Sequence, residues 1–203
     1  YKSLSCDYAL KIYGTSAGRC LLSMQSDIVG YVGWCTEEYL QKFTTQMKND
    51  SPTVVLFGRF DTWLDESKGG KEIKCENCNY IEVLSNRFSN IIENSKQTVI
   101  ITPVPTYRDN IAESYLYKDY VWGDEITLNK SEWDEYIKET KDYLISFSNE
   151  NTIFLNSEEV FCNTKIDKCF ASKDNEIYYT DNNHLSIEGS QLLIDEIIYK
   201  LTN

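Results

Sequence analysis

Short apolar runs alternate with amphipathic stretches along this chain. Five runs read as strands: Ala9 to Gly14 ("ALKIYG"), Asp27 to Gly33 ("DIVGYVG"), Thr53 to Gly58 ("TVVLFG"), Thr98 to Pro105 ("TVIITPVP") and Thr152 to Asn156 ("TIFLN"). Between them lie segments with helical spacing. "EEYLQKFTTQMK" puts Tyr39, Leu40, Phe43 and Met47 on one face. "YIEVLSNRFSNIIE" does the same with Ile81, Leu84, Phe88, Ile91 and Ile92, and "SEWDEYIKETKDYLISF" with Trp133, Tyr136, Ile137, Leu144 and Ile145. A last helix is expected from Ser186, a natural N-cap, with Ile194, Ile197, Ile198 and Leu201 as its apolar positions. Strands followed repeatedly by helices require crossover connections. The expected fold is therefore a three-layer α/β/α sandwich around a mainly parallel sheet of about five strands.

Two stretches lack a clean period and read as long loops, "DTWLDESKGGKEIKCENC" (61–78) and "TYRDNIAESYLYKDYVWGDE" (106–125). Both follow strand ends, where loops of an open parallel sheet build a site. Their aromatics, Trp63, Tyr107, Tyr115, Tyr117 and Trp122, fit either stacking on a ligand's rings or ordinary core packing.

Composition narrows the function classes. With 203 residues and neither a repeat nor a linker, residues 1–203 are expected to form one domain. A net charge of -12 repels phosphate backbones and removes the counterion-release term that drives nucleic-acid binding. No apolar run approaches the ~18 residues that span a bilayer. Because the sequence starts at Tyr1, the expectation is a domain excised from a larger secreted or membrane-anchored protein. Seven cysteines with a single histidine argue for disulfides, and hence for an extracytoplasmic location, over mixed Cys/His zinc sites. "CENC" (Cys75, Cys78) has no second pair to complete four zinc ligands. The sequons at Asn49 and Asn129 fit export as well.

The one histidine, His184, stands in "TDNNH", a polar run unsuited to a core and placed just before the Ser186 cap. Asp181, three residues earlier, can fold back onto one ring nitrogen and fix the tautomer that a general base needs. A surface turn is the plainer alternative. A nucleophile is available in "GTSAG" after the first apolar run: Gly14 permits a tight bend, and Ser16 precedes amides that open a helix and can hold an oxyanion. The alternatives there are a phosphate-binding or purely structural turn.

In this order the segments resemble the SGNH (GDSL-like) hydrolase superfamily, and more closely the SGNH domain attached to acyltransferase-3 proteins that O-acylate carbohydrates. "LKIYGTSAG" looks like its serine block, "GWC" with Cys35 like its cysteine-containing turn, and "TVVLFGRFDTW" like its strand ending in an Arg-aromatic pair. "KQTVIITPVP" looks like its Pro-x-Pro strand. "FCNTKIDKCFASKDNEIYYTDNNHLSIEGS" resembles the stretch in which two cysteines precede Asp-x-x-His-Leu-Ser-x-x-Gly. Three departures stand out: Thr15 replaces the usual acid, Ala17 the usual histidine, and Gly58, Arg59 and Phe60 the Gly-x-Asn block.

The resemblance implies an SGNH-type fold and a serine-dependent acyl transfer or ester hydrolysis on a carbohydrate, of the O-acetyltransferase or acetylesterase kind. Ser16, Asp181 and His184 would form the triad, and Ser16, Gly33 and Arg59 would serve the oxyanion. Neither metal nor cofactor is implied. The partners would be a carbohydrate acceptor, an acyl donor and an acyltransferase-3 membrane domain in the same polypeptide. Thr15 keeps a second reading open, a silent carbohydrate-binding domain. The expected disulfide is Cys162 to Cys169, followed by Cys75 to Cys78 and Cys20 to Cys35; free core cysteines are the alternative.

Overall fold

The structure, a computed structural model, describes residues 37–64, 80–117 and 125–202. In chain order its elements are α1 (Glu37–Asp50), β1 (Thr53–Leu56), α2 (Phe60–Leu64), α3 (Tyr80–Glu93), β2 (Gln97–Ile101), α4 (Ile111–Tyr117) and β3 (Thr127–Asn129). There follow α5 (Lys130–Ile145), β4 (Thr152–Leu155), α6 (Glu158–Phe161), β5 (Cys162–Asn163), β6 (Lys168–Phe170), β7 (Ser172–Lys173), β8 (Glu176–Ile177) and α7 (Ile187–Thr202). They divide into two units.

The first unit contributes α1 and α3. Phe43 and Met47 of α1 are buried, as are Leu84, Phe88, Ile91 and Ile92 of α3. Their spacing is that of a single helical stripe. Ile81, expected on this stripe, is instead exposed, so the buried face of α3 starts one turn later.

In the second unit β1, β2 and β4 form a parallel sheet with β2 in the centre. Val99, Ile100 and Ile101 are wholly buried, as expected of a central parallel strand. β2 stops at Ile101, short of the expected Pro105. Pro103 and Pro105 have no N–H to donate, so the ladder cannot continue through them. The first two expected strands, Ala9 to Gly14 and Asp27 to Gly33, lie outside the described residues.

Helix α7 covers one face of this sheet through Leu193 and Ile197, which pack with Val99, Ile101 and Leu155. Ile197 is one of the expected apolar positions, and the other three differ. Ile194, Ile198 and Leu201 are at least one-third exposed, because α7 is apolar on two sides and turns Leu193 toward the sheet.

The two segments read as loops each contain a helix. Residues Phe60–Leu64 form α2 and Ile111–Tyr117 form α4. The second had a legible start: Asn110 Oδ1 accepts from the Glu113 amide at 3.1 Å, an N-cap followed by an acid at the third position. Small antiparallel pieces, β3–β6–β5 and β7–β8, were also absent from the sequence reading. Strands of two or three residues are too short to show a period.

Cys162 and Cys169 are directly opposed across β5 and β6 and form a disulfide, as the sequence led us to expect. Cys169 packs against Trp133 and Ile137 of α5. The loop that the bridge closes presents Asp167, at φ 52, to the start of α5. Asp167 accepts from the Ser131 amide (2.9 Å) and hydroxyl (2.7 Å), and its backbone oxygen accepts from the Lys130 amide. The hairpin therefore caps the helix from outside. This replaces the side-chain cap that Asn129 does not make.

Removing both cysteines should lower stability by about 2.5 kcal/mol through loop entropy, and Asp167→Ala should cost about 1 kcal/mol through the lost cap. Urea midpoints of wild type, C162A/C169A and D167A check both, and a double variant as stable as wild type would contradict the first.

Candidate functional site

The segment from Ile177 to Gly189 is fixed at both ends. Ser186 donates its amide to Tyr178 O (2.9 Å) and its hydroxyl to Ile177 O (2.6 Å), while its Oγ accepts from the Gly189 amide (3.1 Å). The expected N-cap is present, and the same side chain ties the helix start to β8. A Cβ on Gly189 would lie 2.1 Å from Tyr178 O, so only glycine allows this approach. Inside this closure Tyr179 and Leu185 form a bridge, and the Thr180 amide donates to His184 O at 2.8 Å. Tyr179 is fully buried and meets the Tyr107 ring edge-on at 5.0 Å.

The tip of this loop carries Asp181 and His184. Asp181 Oδ1 accepts from the amides of Asn183 (2.8 Å) and His184 (2.7 Å), and Oδ2 lies 2.6 Å from His184 Nδ1. One carboxylate thus holds the turn with one oxygen and the imidazole with the other. Partial burial pushes the Asp181 carboxyl up, but the bonds from the Asn183 and His184 amides and from the His184 ring outweigh it, and the net shift is downward. Bonded this way, a neutral ring carries its proton on Nδ1 and leaves Nε2 bare. The His184 side chain is 72% exposed, and Nε2 makes no hydrogen bond among the described residues. It is available to a substrate.

The loop is hung on the chain that leaves β2, because the Tyr107 amide donates to Asn182 O at 2.8 Å. Arg59 lies three residues beyond β1, the neighbouring strand, and so at the same carboxyl edge of the sheet. Its Nε and one Nη donate to the two oxygens of Asp61, at 2.9 and 2.8 Å. Asp61 is completely buried, and Tyr136 of α5 donates to its Oδ2 at 3.1 Å. Burial works against the Arg59 charge, but the Asp61 carboxylate outweighs it and raises the guanidinium's pKa.

Ser16 and Gly33 lie outside the described residues, as do Cys20, Cys35, Cys75, Cys78 and Trp122. Of the loop aromatics, Tyr107 is buried in the core with Tyr179 and Phe161, and Tyr115 packs against the same cluster with its hydroxyl 2.6 Å from Ser172 Oγ. Both belong to the core alternative. Among the described residues no group of His, Cys, Asp and Glu gathers to hold a metal ion. The sequence reading did not find the Tyr107 anchor, which is a backbone contact without a side-chain signal. Gly189 closes the Asp-x-x-His-Leu-Ser-x-x-Gly pattern, but no role was read for it, although its place in the first turn of a helix was a signal, since glycine there costs stability unless a close approach needs it.

The family model for the SGNH domain (fused to AT3 domains) matches residues 6–198. No curated protein and no solved structure matches the chain.

A carboxyl held below its unfolded value of about 3.9 stabilises the native loop above that pH, and the contribution disappears as pH falls through the lower native value. The stability gap between wild type and Asp181→Asn should therefore be constant near neutral pH and close only below about pH 4, as measured by urea unfolding across pH. Gly189→Ala, which forces backbone apart, should cost about 1–3 kcal/mol in the same assay; a neutral effect would mean that Tyr178 does not sit as described.

Proposed function

The chain belongs to the family of SGNH domains that are fused to AT3 domains, a family of hydrolase and acyltransferase type, and from that premise we propose that it performs a serine-dependent acyl transfer on a carbohydrate. Ser16 Oγ attacks the acyl carbonyl while His184 Nε2 takes its proton. The tetrahedral intermediate collapses, the leaving alcohol receives that proton, and the acyl group stays on Ser16. Water or a sugar hydroxyl, deprotonated by the same imidazole, then releases it. Asp181 keeps the ring in the tautomer with Nε2 bare and stabilises the imidazolium. The Ser16 amide, Gly33 and Arg59 donate to the oxyanion, each such donor supplying about 3 kcal/mol.

One observation carries this reading: the only imidazole in the chain is bonded through Nδ1 to a carboxylate and offers Nε2 to solvent. Residues 1–203 acting as one domain, with Ala9 to Gly14 and Asp27 to Gly33 completing a sheet of about five strands, is part of the proposal. An extracytoplasmic location and an acyltransferase-3 membrane domain in the same polypeptide complete it. They are supported by the Cys162–Cys169 disulfide and by the family's fusion to AT3 domains; no described helix is long and apolar enough to cross a membrane. Thr15 and Ala17, which depart from the family's serine block, favour a second reading, a silent carbohydrate-binding domain.

An aryl acetate separates the two. The enzyme should hydrolyse it, with losses of about 1000-fold or more in Ser16→Ala and His184→Ala, and a fluorophosphonate should label Ser16. Absence of labelling would decide for the silent domain, and turnover unchanged in both variants would mean that the hydrolysis is background or uses another base.

A further inference from the structure

The cluster around Asp61 is built beyond what a structural pin needs. A wholly buried carboxylate receives three donors: Nε and Nη of Arg59 in a two-point fork, and the Tyr136 hydroxyl. A fork of this kind fixes the plane of a guanidinium as well as its position. Of the five N–H groups of an arginine, only those on Nε and one Nη are used, and the Arg59 guanidinium makes no other hydrogen bond among the described residues. The Arg59 side chain is 25% exposed although its partner is sealed off. The carboxylate is therefore inside while part of the Arg59 side chain reaches solvent, and Arg59 follows β1 at the carboxyl edge of the sheet, where the Asp181–His184 loop is also anchored.

Tyr136 is itself held in place. Its ring stacks on buried Trp133 at 5.3 Å, and Trp133 packs on Cys169 of the disulfide. Burial and the nearby Asp61 carboxylate push its phenol up to about 12, so it remains a donor at any working pH.

We propose that Asp61 and Tyr136 are positioning residues that act through Arg59, setting its guanidinium so that the free Nη edge donates to the oxyanion of the acyl transfer. This rests on the acyl-transfer reading given above. Asp61 sets the plane of the fork. Tyr136, by donating to Oδ2, shares the carboxylate charge and leaves more of the guanidinium's charge for the oxyanion. A role confined to stability would lower the unfolding midpoint without touching kcat of the folded protein.

The test is a double-mutant cycle on the full chain with an aryl acetate. Arg59→Gln should lower kcat about 100-fold, the effect of one lost oxyanion donor, with KM nearly unchanged. Tyr136→Phe should lower kcat roughly tenfold, the effect of one charge-assisted hydrogen bond, again with KM steady. In the Arg59→Gln background Tyr136→Phe and Asp61→Asn should have no further effect. Arg59→Lys should not restore the rate, since an ammonium cannot make the fork. Equal losses with and without Arg59 would overturn the proposal. Should Asp61→Asn fail to fold, Tyr136→Phe carries the cycle alone. The Arg59 Nε–H proton resonance gives a readout apart from activity: it should shift in Tyr136→Phe, and an unmoved signal would overturn the clamp. Absence of His184-dependent turnover in the wild type would instead remove the acyl-transfer reading, with the resonance still reporting whether the clamp exists.

Discussion

The carboxyl end of the central strand must satisfy its backbone polar groups where two prolines forbid further pairing, and the second unit is arranged around that requirement. The Thr102 amide makes a last ladder bond to Leu155 O at 3.1 Å. Beyond it side chains take over. The Ser157 amide donates to Thr102 Oγ1 (2.8 Å), the Ser157 hydroxyl to Pro103 O (2.6 Å), and the Thr102 proton is shared between Ser157 Oγ and Glu158 Oε2. Glu158, nearly buried, is paired with Lys141 of α5. Apart from the Lys141 pair, every link joins the exit of β2 to the exit of β4, which keeps the two strand ends level. A buried network of this kind stabilises only when all its members are satisfied, so the chain leaving β2 has little freedom. It is that chain which holds Asn182 through Tyr107.

Seen from this anchor, the pattern Asp-x-x-His-Leu-Ser-x-x-Gly is a set of separate physical requirements. Asp181 holds two amides and the ring. Leu185 packs against two core clusters of the sheet unit and stops the loop from lifting. Ser186 caps α7 and closes the loop onto β8, and Gly189 lets the helix reach Tyr178. An exposed imidazole is thereby kept in one orientation by residues that are themselves mostly buried or bonded.

The elements with a sustained period were legible: α1, α3 and α5, the parallel run of β1, β2 and β4, and the cap at Ser186. The Asp181–His184 pair was legible too, because a three-residue spacing in a polar turn is a local feature. The misses have different causes. α2 and α4 are too short to show a helical period, and the strands around the disulfide too short to alternate. Apolar residues on two sides of α7 left its buried face ambiguous, a choice that packing of Leu193 makes and sequence does not. The fork at Asp61 was hidden for another reason. Arg59 and Asp61 are two residues apart, but Tyr136 is 75 residues from Asp61, and nothing in the local sequence marks this acid as sealed from water.

That hidden contact explains why a disulfide should stand so far along the chain from the strand whose end it influences. The bridge keeps the β5–β6 hairpin in register, the hairpin supplies Asp167 to the first turn of α5, and Cys169 presses on Trp133 one turn further along. Helix α5 is thus held at its amino end, and Tyr136 lies within two turns of that hold. A hydrogen bond to a buried carboxylate weakens steeply with misalignment, so a small rotation of α5 would be felt at Asp61 before it was felt at the exposed end of the helix. Ile145, near that far end, is half exposed and has no such demand placed on it. The cross-link therefore acts where the helix must be placed most accurately, on the side that reaches the carboxyl edge of the sheet.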